Sequence, residues 1–246
     1  MDWAQGARSV KFSNAGVPPV AFVQMLESQA LDPDAVARLR TIMAREGTDE
    51  ATLMQHDVQA PLRWFRDLYP DLDVDRATLL GFSFAGQAQL TSFGPLSVPL
   101  VSAGSVAEIV ELLTYLPLIT TAINAQFRPN DQGLTVGLWG HTGDRALDCL
   151  AVTYTGSALL RLLDMLVSDA LTVTLHLSWS APVSLNKLAA EMVLAGRLFF
   201  DAPMSYLHVP VNALNEVCRF SDPLAYRLAV AELRGTLDVQ SGATSC

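Results

Sequence analysis

Apolar residues recur at helical spacing through the first third of the chain. Asp32-Pro33 supplies a capping side chain and a proline for the first helical position, and Val36, Leu39, Ile42 and Met43 follow on one face up to Gly47. Thr48-Asp49-Glu50 opens a second short helix, and Pro61, Trp64, Phe65 and Leu68 mark a third. Nothing before Pro70 has the pattern of a strand. Ser105-Val-Ala-Glu108 is a capping box, and the helix behind it carries Val106, Ile109, Val110, Leu113 and Leu116 on one side and stops near Pro117.

The period then changes. Thr121 to Phe127, Leu134 to Trp139 and Cys149 to Tyr154 are strand-like runs, separated by the turn-rich segments Pro129 to Gly133 and Gly140 to Asp144. This is the signature of a meander. A mostly apolar helix follows Gly156-Ser157 to about Asp169. Leu171 to Trp179 alternates, with Leu171, Val173, Leu175 and Leu177 facing one way and Thr172, Thr174, His176 and Ser178 the other. A helix over Ser184 to Val193, strands near Arg197 to Phe200 and Tyr206 to Val209, and a last helix from Asp222 to about Gly235 complete the pattern. Helices first and a sheet with intercalated helices afterwards predict an α+β fold with an antiparallel sheet. One domain spans residues 1–237, and 238–246 turns small and polar, a tail or the start of a linker.

Composition narrows the classes. The chain has 246 residues, 50% hydrophobic and 17% charged, which excludes disorder and leaves enough apolar material for one large core. The net charge is −9, only two of the 16 basic residues are lysines (Lys11 and Lys187), and no basic run occurs, so DNA binding by this chain alone is not expected. Three widely spaced cysteines, Cys149, Cys218 and Cys246, fit reduced thiols and a cytoplasmic protein rather than a disulfide framework. Met1 to Val10 holds no apolar core of a signal peptide. Phe82 to Ala107 and Leu112 to Phe127 are long uncharged stretches, but glycines and prolines break the first, and the second is short and contains Pro117. Both read as buried segments, and no membrane contact is expected.

The sequence offers residues for four kinds of chemistry. Gly81-Phe82-Ser83-Phe84-Ala85 after Thr78-Leu79-Leu80 has the form of a degenerate nucleophile elbow, which would make Ser83 the nucleophile of a serine esterase with Asp201 and His208 downstream. The region before it reads as helical, and a packed Gly/Ser helix or turn is the competing reading. His56, His141, His176 and His208 sit in separate elements, so no metal site is expected, and no glycine-rich phosphate loop follows a strand, so no cofactor is expected either. The polar side of the expected sheet remains. Thr135, Gly137, Trp139 and His141 share one side of a strand, as do Leu150, Val152 and Tyr154, and Thr172, Thr174, His176 and Ser178. Trp139, His141, Tyr154, His176 and Trp179 are the candidate ligand-binding residues, with aromatic walls and a few orienting donors and acceptors. Alternation puts Trp179 opposite His176 unless the strand ends or bulges before it.

Several segments carry a resemblance. Ser92-Phe93-Gly94-Pro95-Leu96-Ser97 with the Ser105 to Pro117 helix, Ala195 to Pro203, Leu207 to Leu214 and Ser221-Asp222-Pro223-Leu224 are similar in order and spacing to the N-terminal effector-binding domain of AraC/XylS-type transcription regulators of the arabinose-binding-like branch, over roughly Val17 to Leu237. The resemblance implies a ligand-sensing domain that takes a small apolar or weakly acidic effector and dimerises. Such regulators continue into a double helix-turn-helix domain, of which this chain shows no pair. The expectation is a sensory domain read apart from its DNA-binding half, or a stand-alone one. A protein-interaction scaffold is a third possibility beside sensor and esterase.

Overall fold

The computed structural model describes residues 15–28, 30–56, 58–167 and 172–243. The N-terminal part is helical: α1 (Pro19–Glu27), α2 (Pro33–Arg45), α3 (Glu50–His56), α4 (Arg63–Leu68) and α5 (Val74–Ala85). Asp32 caps α2 through the Ala35 amide at 2.7 Å, with Pro33 in the first turn, and Asp73 caps α5 through the Arg76 amide at 2.8 Å. Phe22 sits edge-on to Trp64 and Phe65, and Phe65 meets Phe84, so the first helices close on an aromatic cluster. Two short strands, β1 (Gly16–Val17) and β2 (Ala60–Pro61), pair in this part, where the apolar pattern showed only helices. Two residues are too few for an alternation to register.

The chain continues through a 3-10 helix (Leu90–Leu96), α6 (Ser97–Ser102) and α7 (Val106–Leu112). Ser105 caps α7 through the Glu108 amide at 3.3 Å. The Glu108 carboxylate reaches one residue further back than the capping-box pattern implies, accepting from the Gly104 amide at 2.5 Å. A 3-10 turn and α8 (Leu116–Ile119) carry the helical path past Pro117 before the sheet begins.

Five strands form that sheet in the order β3 (Ile123–Asn130), β4 (Gly133–Gly140), β7 (Tyr206–Pro210), β5 (Thr174–His176) and β6 (Leu198–Phe199). Mixed helix and sheet, with the helices leading, is the α+β fold expected. The sheet is not wholly antiparallel, because β5 and β6 run parallel. They are joined through α10 (Lys187–Leu194), and a crossover of that kind is what lets two neighbouring strands run the same way.

One expected strand is a helix. Cys149 to Tyr154 lies inside α9 (Arg145–Leu166), which begins twelve residues before the expected start at Ser157. Val136 and Leu138 of β4, Leu175 of β5 and Leu207 of β7 are all buried, and α9 packs against β4 and β5 on that side and against α5 on the other. A helix covered on nearly every side has no polar face to mark its period, so Leu150, Val152 and Tyr154 look like alternation. α9 is long and apolar enough to cross a membrane, with a mean hydropathy of 1.3 over an 18-residue window, but 72% of that window is buried within the fold. The last helix, α12 (Pro223–Ala243), runs on past Gly235 through part of the expected tail, after a short α11 (Val211–Leu214). The expected ends of the helix at Asp169 and of the strand at Leu171 fall outside the described residues.

Candidate functional site

Strand register decides which side chains share the uncovered face of the sheet. Gln126 of β3 stands opposite Gly137 of β4, Gly137 opposite Tyr206 of β7, Tyr206 opposite His176 of β5, and His176 opposite Phe199 of β6. A second row runs Arg128, Thr135, His208 and Thr174. Directly opposed residues project on the same side, so these two rows form one surface. Above it lies a groove of about 510 Å³, lined by Gln126, Gly137, Tyr206 and His176 of the first row, by Arg128, Thr135 and His208 of the second, and by Asn130, Gln132, Pro203 and Met204.

The first row carries a stack of rings. His176 lies 4.3 Å from Tyr206 at an interplanar angle of 8°, and 4.7 Å from Phe199 at 14°. These spacings match the roughly 4.8 Å between neighbouring strands, so the rings stand upright on the sheet and pile face to face. Thr174 and His176 share a hydrogen bond of 3.0 Å. Partial burial, with His208 nearby, pulls the His176 imidazole below its ordinary value.

The five expected ligand-binding residues separate into distinct places. Trp139 and His176 stand on the open face, as the alternation implied. His141 lies beyond the end of β4 in an exposed position, its amide donating to the Ala122 carbonyl at 2.9 Å, so it does not continue the row. Strand β5 stops at His176, which frees Trp179 from the alternation. Trp179 is buried and lines, with Trp139, Arg145, Asp148 and Met204, a cleft of about 360 Å³ next to the groove. Its indole N–H has no partner among the described residues.

Tyr154 is corrected outright. As part of α9 it faces the opposite side of the sheet and lines an apolar pocket with Val17, Met25, Phe93, Ile119 and Ile123. That pocket holds only about 30 Å³ of free space, and burial pushes the Tyr154 hydroxyl well above the ordinary phenol value while contact with Ser92 works the other way.

Tyr206, His208, Arg128 and Met204 were missing from the sequence-derived site. Tyr206-Leu207-His208-Val209 does alternate, and the strand was expected there. Pairing with β4 and β5 alone reveals that it lies between them. Ser83 is in α5, with no strand before it, and its hydroxyl accepts from Asn186 Nδ2 at 3.2 Å. The sharp strand-to-helix turn that exposes a nucleophile is absent there. Gly81 serves packing instead: a Cβ at this position would lie 2.7 Å from Thr153 Cβ on α9. No cluster of three His, Cys, Asp or Glu residues suited to a metal exists among the described residues.

No family model matches the chain, and no curated protein matches it. Among solved structures it is similar to the transcriptional regulator CdpR from Pseudomonas aeruginosa, with a TM-score of 0.52 and 16% identity. The fold is shared with a transcriptional regulator. The match covers 82% of this chain and 62% of CdpR, so the chain spans less than two thirds of that protein's length.

Proposed function

We propose that this chain is the ligand-sensing part of a transcription regulator of the AraC/XylS type. The observation that carries the reading is the fold it shares with CdpR over 82% of its length. The segments from Ser92 to Ser97, Leu207 to Leu214 and Ser221 to Leu224 point the same way by their resemblance to the effector-binding domain of that family. The domain acts by binding rather than by catalysis, and pairs with a second copy.

Volume removes the pocket beside Tyr154 as a seat for the effector. Small-molecule sites usually offer about 300–1,000 Å³, and about 30 Å³ beside Tyr154 holds little more than a water molecule. The sheet groove, at about 510 Å³ and lined by His176, is the proposed seat, with Trp139 in the adjoining cleft. Ligand shifts the attached regulator only through a difference in affinity between two states.

The test is a thermal-shift screen of hydrophobic carboxylic acids and aromatic metabolites. A ligand present at 100 times its dissociation constant adds about 2.7 kcal/mol, enough to move the melting temperature by several degrees. A panel without a single shift speaks against the reading. Covalent labelling by a fluorophosphonate that is lost in Ser83→Ala would favour the esterase instead, and sedimentation velocity at micromolar concentration reads the pairing.

A further inference from the structure

The ring stack ends beside a glycine. Phe199, His176 and Tyr206 occupy β6, β5 and β7 in one row, and the next position in that row, on β4, is Gly137. One face of Tyr206 is against His176, so its other face looks across to β4, where the glycine leaves no side chain to meet it. The Met204 methyl and the edge of the Trp139 ring lie there instead: a Cβ added to Gly137 would come within 2.9 Å of Met204 Cε and 3.4 Å of the Trp139 ring. A flexible thioether is a side chain that yields readily and packs well on aromatic faces.

Arg128 is the one fixed charge among the residues lining this groove. Arg128 and His208 belong to the neighbouring row, two residues along the strands, or about 6.6 Å. Arg128 donates to Gln126 Oε1 at 3.1 Å and is paired with no carboxylate among the described residues. No Asp or Glu lines the groove, although the chain as a whole carries −9.

We infer that the space over Gly137 is a slot for a planar aromatic carboxylate, whose ring extends the Phe199–His176–Tyr206 stack and whose carboxylate meets Arg128 and His208. The inference rests on the effector-binding reading and supplies its ligand class. The ring displaces the Met204 methyl and is bounded by Gln126 on the far side and by Trp139 along β4. One ring fits between Tyr206 and Gln126, two strand spacings apart, and a flat one makes the fuller contact with the Tyr206 face. A carboxylate one or two bonds from the ring points along β4 toward the second row, where the guanidinium offers paired donors.

The loop bearing Met204 is held from both sides. Asp201 and Ala202 donate to the carbonyls of Trp179 and Leu177 at 3.0 Å each, and the Leu138 amide donates to the Ser205 carbonyl at 2.9 Å. Opening the slot therefore needs only a rotation of the Met204 side chain.

The test titrates 2-naphthoate and its neutral amide, 2-naphthamide, into the full chain by calorimetry. Binding of the acid at least about tenfold tighter than the amide is expected, in line with a charge-assisted hydrogen bond. Arg128→Gln, at an exposed position, should weaken the acid about tenfold and leave the amide unchanged, and Gly137→Val should abolish both. If naphthoate binds the Arg128→Gln and Gly137→Val proteins as it binds the wild type, the slot is wrong while the effector reading stands. Melting shifts from non-aromatic ligands alone have the same meaning. A panel in which no small molecule of any class binds removes the effector reading itself. Tighter binding of an eight-residue oligouridylate than of naphthoate, lost in Gly137→Val, would overturn the proposal in favour of a surface that stacks nucleic-acid bases.

Discussion

Gly81 and Gly137 make room for different things. Gly81 lets α5 approach α9 until the Leu150 carbonyl lies 2.9 Å from where a Cβ would stand, whereas Gly137 opens a gap in a row of large side chains. Gly81→Ala should cost about 1–3 kcal/mol by overpacking, measured by urea unfolding, while Ser83→Ala beside it should change little. Burial pushes the Cys149 thiol up to about 12 and Cys218 up to about 11, and both are unbridged. Neither should react with Ellman's reagent until the protein unfolds, which peptide mapping of the labelled sites checks; native labelling at Cys149 would contradict its burial. His176, lowered by burial and then by His208, binds its proton less readily in the folded state than in the unfolded chain. The unfolded state thus takes up more protons around pH 6.5, and stability falls as pH drops through that value, levelling off below the folded-state pKa. Facing this imidazole in the groove are Arg128, Tyr206 and His208 and no carboxylate among the described residues. Unfolding at pH 7.5 and 5.5 should show a larger loss for the wild type than for His176→Asn, and equal losses would remove the effect.

At the scale of elements, α9 organises the fold. It starts at Asp144, whose carboxylate accepts from the Ala146 and Leu147 amides at 2.9 and 3.2 Å and from Arg66 Nε and Nη2 at 2.8 and 2.7 Å. The Arg66 guanidinium holds the Asp144 carboxyl below its usual range. Asp144→Ala should cost about 1–2 kcal/mol, mostly for the lost cap, because the ion pair is part-exposed and contributes less. Asp144→Asn, which keeps the cap, should recover most of it. The cap also explains what the sequence hid. The segment Gly140-His141-Thr142-Gly143-Asp144 has the composition of a turn, and it is a turn, but its last residue opens a helix. Without a polar stripe the twenty-two residues behind Asp144 carry no clear period. Amphipathic elements were legible: α2, α7 and β4 lie close to where the alternation put them, because one face of each meets water. Half of the site was legible for the same reason. Trp139 and His176 alternate with buried neighbours. Tyr206 and His208 complete the surface only through the pairing of β7 between β4 and β5, a long-range fact that no local pattern contains.

For the whole molecule, the −9 charge and the fold shared with CdpR bear on different partners. No sequence-specific DNA binding by this chain is expected in a gel shift at moderate salt, and a shift that survives competitor DNA would contradict this. Helices close one side of the sheet around α9, and the opposite face stays open with an acid-free lining and a stack of rings. The proposed sensing role would use such a division, with a rigid half to hold the surface and an uncovered half to meet an effector. The most direct measurement is a calorimetric titration of the best compound from the thermal-shift screen into the wild type, Trp139→Ala and His176→Ala. Affinity reduced at least about fivefold in His176→Ala, which removes the ring that holds Tyr206 in the stack, and measurably in Trp139→Ala, which removes the ring bordering the space over Gly137, is the expected outcome. Unchanged affinity in both variants would put the effector elsewhere than on the sheet.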